Sequence, residues 1–169
     1  ITVYLPQAEY AALSVRAGAG DVEIPKDFAF ARADISLTTG NAGVYASASE
    51  SIQIKTSTGN IRVENVSAGS LDLSTATGTV TVSGIDCRDD LSVAVSTGEA
   101  CLTGLSCRNV ISTGTTGSVL LKDVIAANRF SIERSTGDVK FTRCDAAEIF
   151  VKTNTGNVTG SLLTDKVFL

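Results

Sequence analysis

One interval governs this chain. Glycine returns at Gly20, Gly40, Gly59, Gly78, Gly98, Gly117, Gly137 and Gly156, with successive gaps of 20, 19, 19, 20, 19, 20 and 19 residues. Threonine precedes seven of the eight, at Thr39, Thr58, Thr77, Thr97, Thr116, Thr136 and Thr155, and Ala19 takes that place in the first repeat. The segments "TSTGNIRVENV", "TATGTVTVSGI" and "VSTGEACLTGL" are three copies of one shape. A period of this size marks a solenoid, in which a unit too small to bury its own apolar face is stacked on its neighbours.

Aligning the repeats on the glycine gives the secondary structure. Seven residues before it stand Leu13, Ala33, Ile52, Leu71, Leu91, Val110, Phe130 and Ile149. Five before stand Val15, Ile35, Ile54, Leu73, Val93, Ser112, Ile132 and Val151. Two after come Val22, Ala42, Ile61, Val80, Ala100, Val119, Val139 and Val158. Four after come Ile24, Val44, Val63, Val82, Leu102, Leu121 and Phe141, until Gly160 breaks the column. Polar residues fill most positions between. Alternation with a period of two on both sides of the glycine is the pattern of half-buried strands. Helix is excluded, because no segment shows a 3.6-residue period and β-branched residues dominate.

Each repeat therefore reads as strand, Thr-Gly corner, strand and second turn, with glycine supplying a positive φ at the corner. A repeat this short has no room for two strands and a helix. It suits one coil of an all-β, single-stranded parallel β-helix, a β-solenoid of about eight coils, and the crossover rule favours right-handed winding. Residues 1–169 are expected to form one such domain. The ends, "ITVYLP" and "TDKVFL", read as apolar strand starts or stops, which suggests a piece of a longer protein.

Composition narrows the chemistry. The chain has no His, so serine–histidine and cysteine–histidine catalysis is excluded. A net charge of −4 and the lack of a basic stripe argue against nucleic acid as a partner. No apolar run reaches the ~18 residues of a membrane-spanning helix, so membrane attachment is expected only through segments outside this chain.

The candidate reactive residues are Cys87, Cys101, Cys107 and Cys144. Cys87 and Cys107 lie nine residues after their glycines and should stack in adjacent coils, in a column that elsewhere reads Ala29, Ser49, Ala68, Ala126 and Ala146. Small-residue filling is the favoured reading, because parallel side chains are poorly placed for a bridge. Cys144 falls in a column with Val66, Ile85, Leu105, Val124 and Leu163, a core position, whereas Cys101 falls outward with Glu23, Arg62 and Lys140. All four are expected to be unbonded, and no metal or cofactor site is expected.

Carboxylates are scattered: Glu64, Asp72, Glu99, Glu133, Asp138 and Glu148 occupy different columns. The densest cluster, "CRDD" at 87–90 beside Asp86, reads as a solvated loop. "AGAGD" and "STGD" resemble pieces of a calcium-binding nonapeptide, but the interval is wrong for it. "TST", "TAT" and "TNT" suggest an ice-binding face. Against it, the first threonine becomes Leu37, Val95, Gly114 or Arg134 in other coils, and the threonine before glycine shares parity with the inward columns. The pre-glycine threonines are therefore expected to form a structural ladder turned toward the corner, hydrogen-bonded up the stack.

The "STGN", "STGD" and "TTGN" turns flanked by alternating strands, with "LSVRAGAGDVEI" near the start and "VKTNTGNVTGSL" near the end, resemble a domain family of unknown function in bacterial envelope proteins to which an adhesin role is ascribed by inference. The resemblance implies a single-stranded β-helix, often placed behind a transmembrane segment, without recognised catalytic residues. It transfers no binding site. The expectation is a non-enzymatic, extracytoplasmic module of the cell envelope or surface that binds a surface polysaccharide or protein. The alternatives are a self-assembling scaffold like the bactofilins and, third, a carbohydrate-active β-helix enzyme. Isolated outward apolar residues, Ile111, Leu120 and Phe150, are the positions where a contact patch could form.

Overall fold

A computed structural model describes residues 6–163. The expected terminal strands lie outside the described residues, apart from Pro6. The elements are β1 (Glu9–Ala19), β2 (Val22–Ile24), β3 (Ala29–Thr39), β4 (Ala42–Val44), β5 (Ser47–Thr58), β6 (Ile61–Glu64) and β7 (Ser67–Thr77). They continue with β8 (Val80–Cys87), β9 (Asp90–Thr97), β10 (Ala100–Thr116), β11 (Val119–Thr136), β12 (Val139–Thr155) and β13 (Val158–Leu162). Among the described residues all 13 strands join one parallel network and there is no helix: a β-solenoid of about eight turns.

The strand order shows how it winds. Strands ending at the glycine corner pair along the path β1–β3–β5–β7–β9, and those leaving it pair along β2–β4–β6–β8. Both paths meet in β10, whose first half pairs with β8 and second half with β9. From there β10, β11 and β12 each run unbroken from one glycine corner to the next. Equivalent residues stack directly, as in Ile52↔Leu71 and Leu71↔Leu91.

The alternating columns line one core. Ile35, Ile54, Leu73, Val93 and Ile132 are 0% exposed, as are Val80, Val82, Leu91, Leu102 and Phe130. Burying each such side chain contributes about 1.5–3 kcal/mol. The third residue before the glycine is a further inward column, holding Leu37, Thr56, Thr75, Val95 and Arg134. At the ends the columns thin out. Leu13 and Val15 are half-buried, and Val158 is 44% exposed rather than core.

Two assignments from residue counting are corrected. In the first coils Phe30 and Ala48, not Ala29 and Ser49, stack beneath Ala68. In the last coil Leu162, not the exposed Leu163, pairs with Cys144. The cause is that the connection beyond the glycine corner varies in length. Val44 and Ala48 are four residues apart where their partners Val63 and Ala68 are five apart, and Phe141 and Cys144 are three apart where Gly160 and Leu162 are two apart. Counting from the glycine loses register there, and the bulge between Ala48 and Ser51 restores it.

A second corner also has a left-handed backbone. Its column is Asn65, Gly84, Gly104, Asp123 and Arg143, with φ of 53°, 61°, 61°, 53° and 51°. Asn, Asp and Gly tolerate this region. Arg does not favour it, and Arg143 holds it while its guanidinium forks onto Asp123 one coil below.

At the first corner glycine is required for space as well as for φ. A Cβ on Gly59 would lie 1.9 Å from the Gly40 carbonyl oxygen, and one on Gly117 would lie 1.8 Å from that of Gly98. Gly20 shares the positive φ but has nothing within 4 Å. Gly59→Ala should therefore cost about 3 kcal/mol or more, combining clash and strain, whereas Gly20→Ala should cost only the strain, about 1–2 kcal/mol. Urea unfolding of the two variants measures this; equal losses would show that the close approach between coils is not limiting.

Candidate binding face

The Thr-Gly corner is a hydrogen-bonded column. From Gly20 to Gly137 each corner glycine N–H donates to the threonine carbonyl of the next coil, as in Gly40 to Thr58 and Gly59 to Thr77, both at 2.9 Å. The residue after the glycine continues the pattern with its side chain. Asn41 N–H donates to Asp21 Oδ1 at 2.8 Å, Asn60 N–H to Asn41 Oδ1 at 3.0 Å, and Thr79 N–H to Asn60 Oδ1 at 2.8 Å. Asn157 and Asp138 repeat it near the other end at 2.8 Å. These Asx side chains satisfy N–H groups that the corner takes out of the strand ladder. Their recurrence after glycine was the visible signal.

The threonines before glycine correct an expectation. Thr39, Thr58, Thr77, Thr97, Thr116, Thr136 and Thr155 are all exposed. They stack rung on rung, Thr39↔Thr58↔Thr77↔Thr97 and Thr97↔Thr116↔Thr136↔Thr155. The hydroxyls that turn to the corner belong to the threonines two residues earlier. Thr56, Thr75 and Thr153 donate to the carbonyls of Gly40, Gly59 and Gly137 at 3.3, 3.1 and 3.2 Å. The column between, Thr38, Ser57, Ala76, Ser96, Thr115, Ser135 and Asn154, is exposed as well. The corner thus carries a ridge two residues wide, small and hydroxyl-rich along its whole length.

One stretch of the inward column is built differently. Gly114 has no side chain where its neighbours do, and Arg134, one coil on, occupies that space with only 3% exposure. Its guanidinium donates to the Val95 carbonyl two coils away at 2.9 Å and to Ser112 Oγ at 3.0 Å, while Nε is buried without a partner. Among the described residues no carboxylate pairs with Arg134, and burial pushes its pKa below the usual arginine value. Ser112, Gly114 and Arg134 look like unrelated interruptions in sequence, yet form one contact set.

The remaining candidates are dispersed. In the 87–90 cluster Arg88 reaches the Ser49 carbonyl, Asp89 lies 4.0 Å from Arg108, and Asp90 accepts from Asn109 Nδ2 at 2.6 Å. Asn128 continues that last ladder onto Asn109 at 2.9 Å. Among the described residues no group of three His, Cys, Asp or Glu converges as a metal site. Leu120 and Phe150 are 40% and 41% exposed, and the Arg129 guanidinium lies 5.6 Å from the Phe150 ring centroid. All four cysteines are free, with Cys87, Cys107 and Cys144 buried and Cys101 half-buried. Burial raises the pKa of Cys101 and Cys144.

Two measurements test these contacts. Gly114→Ala would place Cβ 1.6 Å from the Arg134 guanidinium and 2.1 Å from the Val95 carbonyl oxygen, and should cost about 2–4 kcal/mol in unfolding experiments. Combined with Arg134→Thr, the loss should fall short of the sum of the two single losses by about 1 kcal/mol or more; simple additivity would refute the shared site. At the second corner the Arg143 fork holds the Asp123 carboxyl below the usual carboxylate range. A depressed folded-state pKa means stability gained above the unfolded value and lost as pH falls through the folded one. In a carboxyl NMR titration, Arg143→Gln should move Asp123 upward toward ~3.9; an unmoved midpoint would rule out the fork as its cause.

Known proteins supply the remaining comparison. The family Toastrack DUF4097, whose function is uncharacterised, matches residues 1–89, more than half of the chain. No curated protein and no solved structure matches. The corner strands and their glycines in those residues continue in the same register through the rest of the described chain. The chain is a member of the Toastrack DUF4097 family.

Proposed function

We propose that this protein is a non-catalytic surface-binding module of the cell envelope, exposed outside the cytoplasm, and that the hydroxyl ridge at the Thr-Gly corner is its contact face. The observation that carries the reading is the register of the seven exposed threonines. Neighbouring strands lie about 4.8 Å apart, so the ridge offers a hydroxyl every ~4.8 Å along a straight line. A polymer that repeats its own hydroxyls along an extended chain, such as a wall or mucin-type polysaccharide, can meet several rungs at once. Many weak contacts on one rigid scaffold then act together.

Ice is a poorer fit than a polymer. Two of the three Thr-x-Thr triplets show water one threonine, because the other is inward: Thr56 and Thr75 are 2% and 1% exposed. Catalysis is disfavoured by the spread of the carboxylates and the lack of histidine.

One feature favours the self-assembling scaffold as a second reading. Among the described residues, β1 pairs with β3 alone and β13 with β12 alone, so each outermost described strand has a free edge. Such edges accept further strands.

A pelleting assay of the purified protein, with and without insoluble wall or mucin-type polysaccharide, separates these roles. The surface-binding reading expects pelleting only with polymer, lost when Thr58, Thr77 and Thr97 are replaced together by lysine. Ordered filaments without polymer would establish the scaffold instead. A monomer that stays in solution in both tubes would refute polymer binding.

A further inference from the structure

Cys87 ends β8, and Cys107 lies within β10. Ser106 is paired with Asp86, so the next rung of the same parallel ladder sets Cys107 directly on Cys87. The side chains are 3% and 4% exposed and stand next to each other in the buried column. Cys87 Sγ also donates to the carbonyls of Gly69 and Asp90, at 3.3 and 3.5 Å. Ala68 lies beneath the pair and Ala126 above it. Two thiols therefore face each other alone in a column of small residues.

Parallel side chains are not ideally placed for a bridge, but the separation between adjacent coils is close to what one needs. Stacked strands are about 4.7–4.9 Å apart, inside the Cα separations of about 4.4–6.8 Å that disulfides span. Cβ atoms on adjacent in-register strands are spaced much like the strands, against about 3.8 Å in a bridge, so closure needs a pinch of roughly 1 Å. Closure works against the backbone bonds of the bend after Cys87, where Arg88 N–H donates to the Ala68 carbonyl at 3.1 Å and Asp89 N–H to that of Gly69 at 2.8 Å. A groove runs along the same corner, lined by Ser67, Ala68, Asp86 and Arg88, which flank Cys87 in sequence and in the stack. Neither cysteine lines it, so an oxidant must reach the pair through the wall that these residues form.

We propose that Cys87 and Cys107 form a peroxide-oxidisable dithiol that closes to a disulfide linking two adjacent coils. The Cys87 thiolate attacks one oxygen of hydrogen peroxide, the O–O bond breaks, and hydroxide leaves, giving a sulfenic acid. Cys107 then attacks that sulfur; the S–S bond forms, and the sulfenic oxygen departs as water with the Cys107 proton. Two thiols and one peroxide yield one disulfide and two waters. Cys87 is the attacking sulfur because it stands at the end of β8 beside the exposed Arg88 and Asp89, and its contact with Cys107 lowers its pKa. A pinched bridge is readily reduced, so the step is reversible. This inference is independent of the binding reading.

The test uses the full chain with Cys101→Ser, which removes the least buried thiol and leaves three. After peroxide treatment under native conditions and quenching, denatured samples are titrated for thiols and mapped by mass spectrometry. The expected result is one remaining thiol, a peptide link between Cys87 and Cys107, an unchanged far-UV spectrum and full recovery of thiols with dithiothreitol. With Cys107→Ala added, the link should be replaced by a sulfenic acid at Cys87 that dimedone traps. Three surviving thiols, a bridge to Cys144 instead, or loss of the β spectrum on oxidation would each overturn the proposal.

Discussion

The structure depends on how closely two coils approach at the Thr-Gly corner. There each glycine N–H from Gly20 to Gly137 donates to a threonine carbonyl of the next coil, and a glycine carbonyl oxygen sits about where the next glycine's Cβ would be. Only a residue without a side chain permits that distance, and only glycine adopts the φ of about 120° to 150° at low cost. Everything else is phased from this point. Because the corner repeats without offset, the strands on either side stack in register, and inward residues of successive coils meet directly. The apolar columns then supply most of the favourable energy, but the corner decides which residues occupy them.

Departures inside that frame are tolerated when neighbours share them. A buried guanidinium without a counter-ion is costly, and the protein offsets it with two hydrogen bonds and a vacancy made by Gly114. Arg134 in effect fills the inward position of two coils. Ser112, otherwise an anomaly in an apolar column, supplies one of its acceptors. The solenoid gives such substitutions a local address, since each coil touches only the coils next to it and a defect need be answered only there.

Much of this was legible in the sequence, because strand periodicity is written residue by residue. The interval of 19 or 20, the glycine position and the main core columns followed from counting. The orientation of the pre-glycine threonines did not, and the reason is arithmetic. The inward residue before the corner, such as Thr56, and the inward residue after it, such as Ile61, are five positions apart. Strict alternation requires an even number, so it must fail once within the corner. Parity reasoning put Thr58 inside; the chain instead exposes Ser57 and Thr58 in succession. The second corner was partly visible as Asn65, Gly84, Gly104 and Asp123, but Arg143 hid its left-handed backbone behind a residue type that gives no sign of it. Register around that corner, as at Ala48 and Leu162, was lost to changes in the length of the connection that no local pattern announces.

The broken alternation bears on function. Had it fallen one residue later, the threonines would have been sealed into the corner, and the outer surface would have been the variable, charged faces of the flat strands. Falling where it does, it turns the most regular polar column of the sequence toward solvent beside a second column of small residues. Regularity on the inside needs no explanation beyond packing. On the outside, packing does not demand it, because an exposed corner position is served equally well by many polar residues. The Asx column next to it has a structural reason, since its side chains accept backbone N–H groups between coils. The pre-glycine threonines are exposed along the whole column, and that regularity is what the proposed binding of a repeating partner rests on.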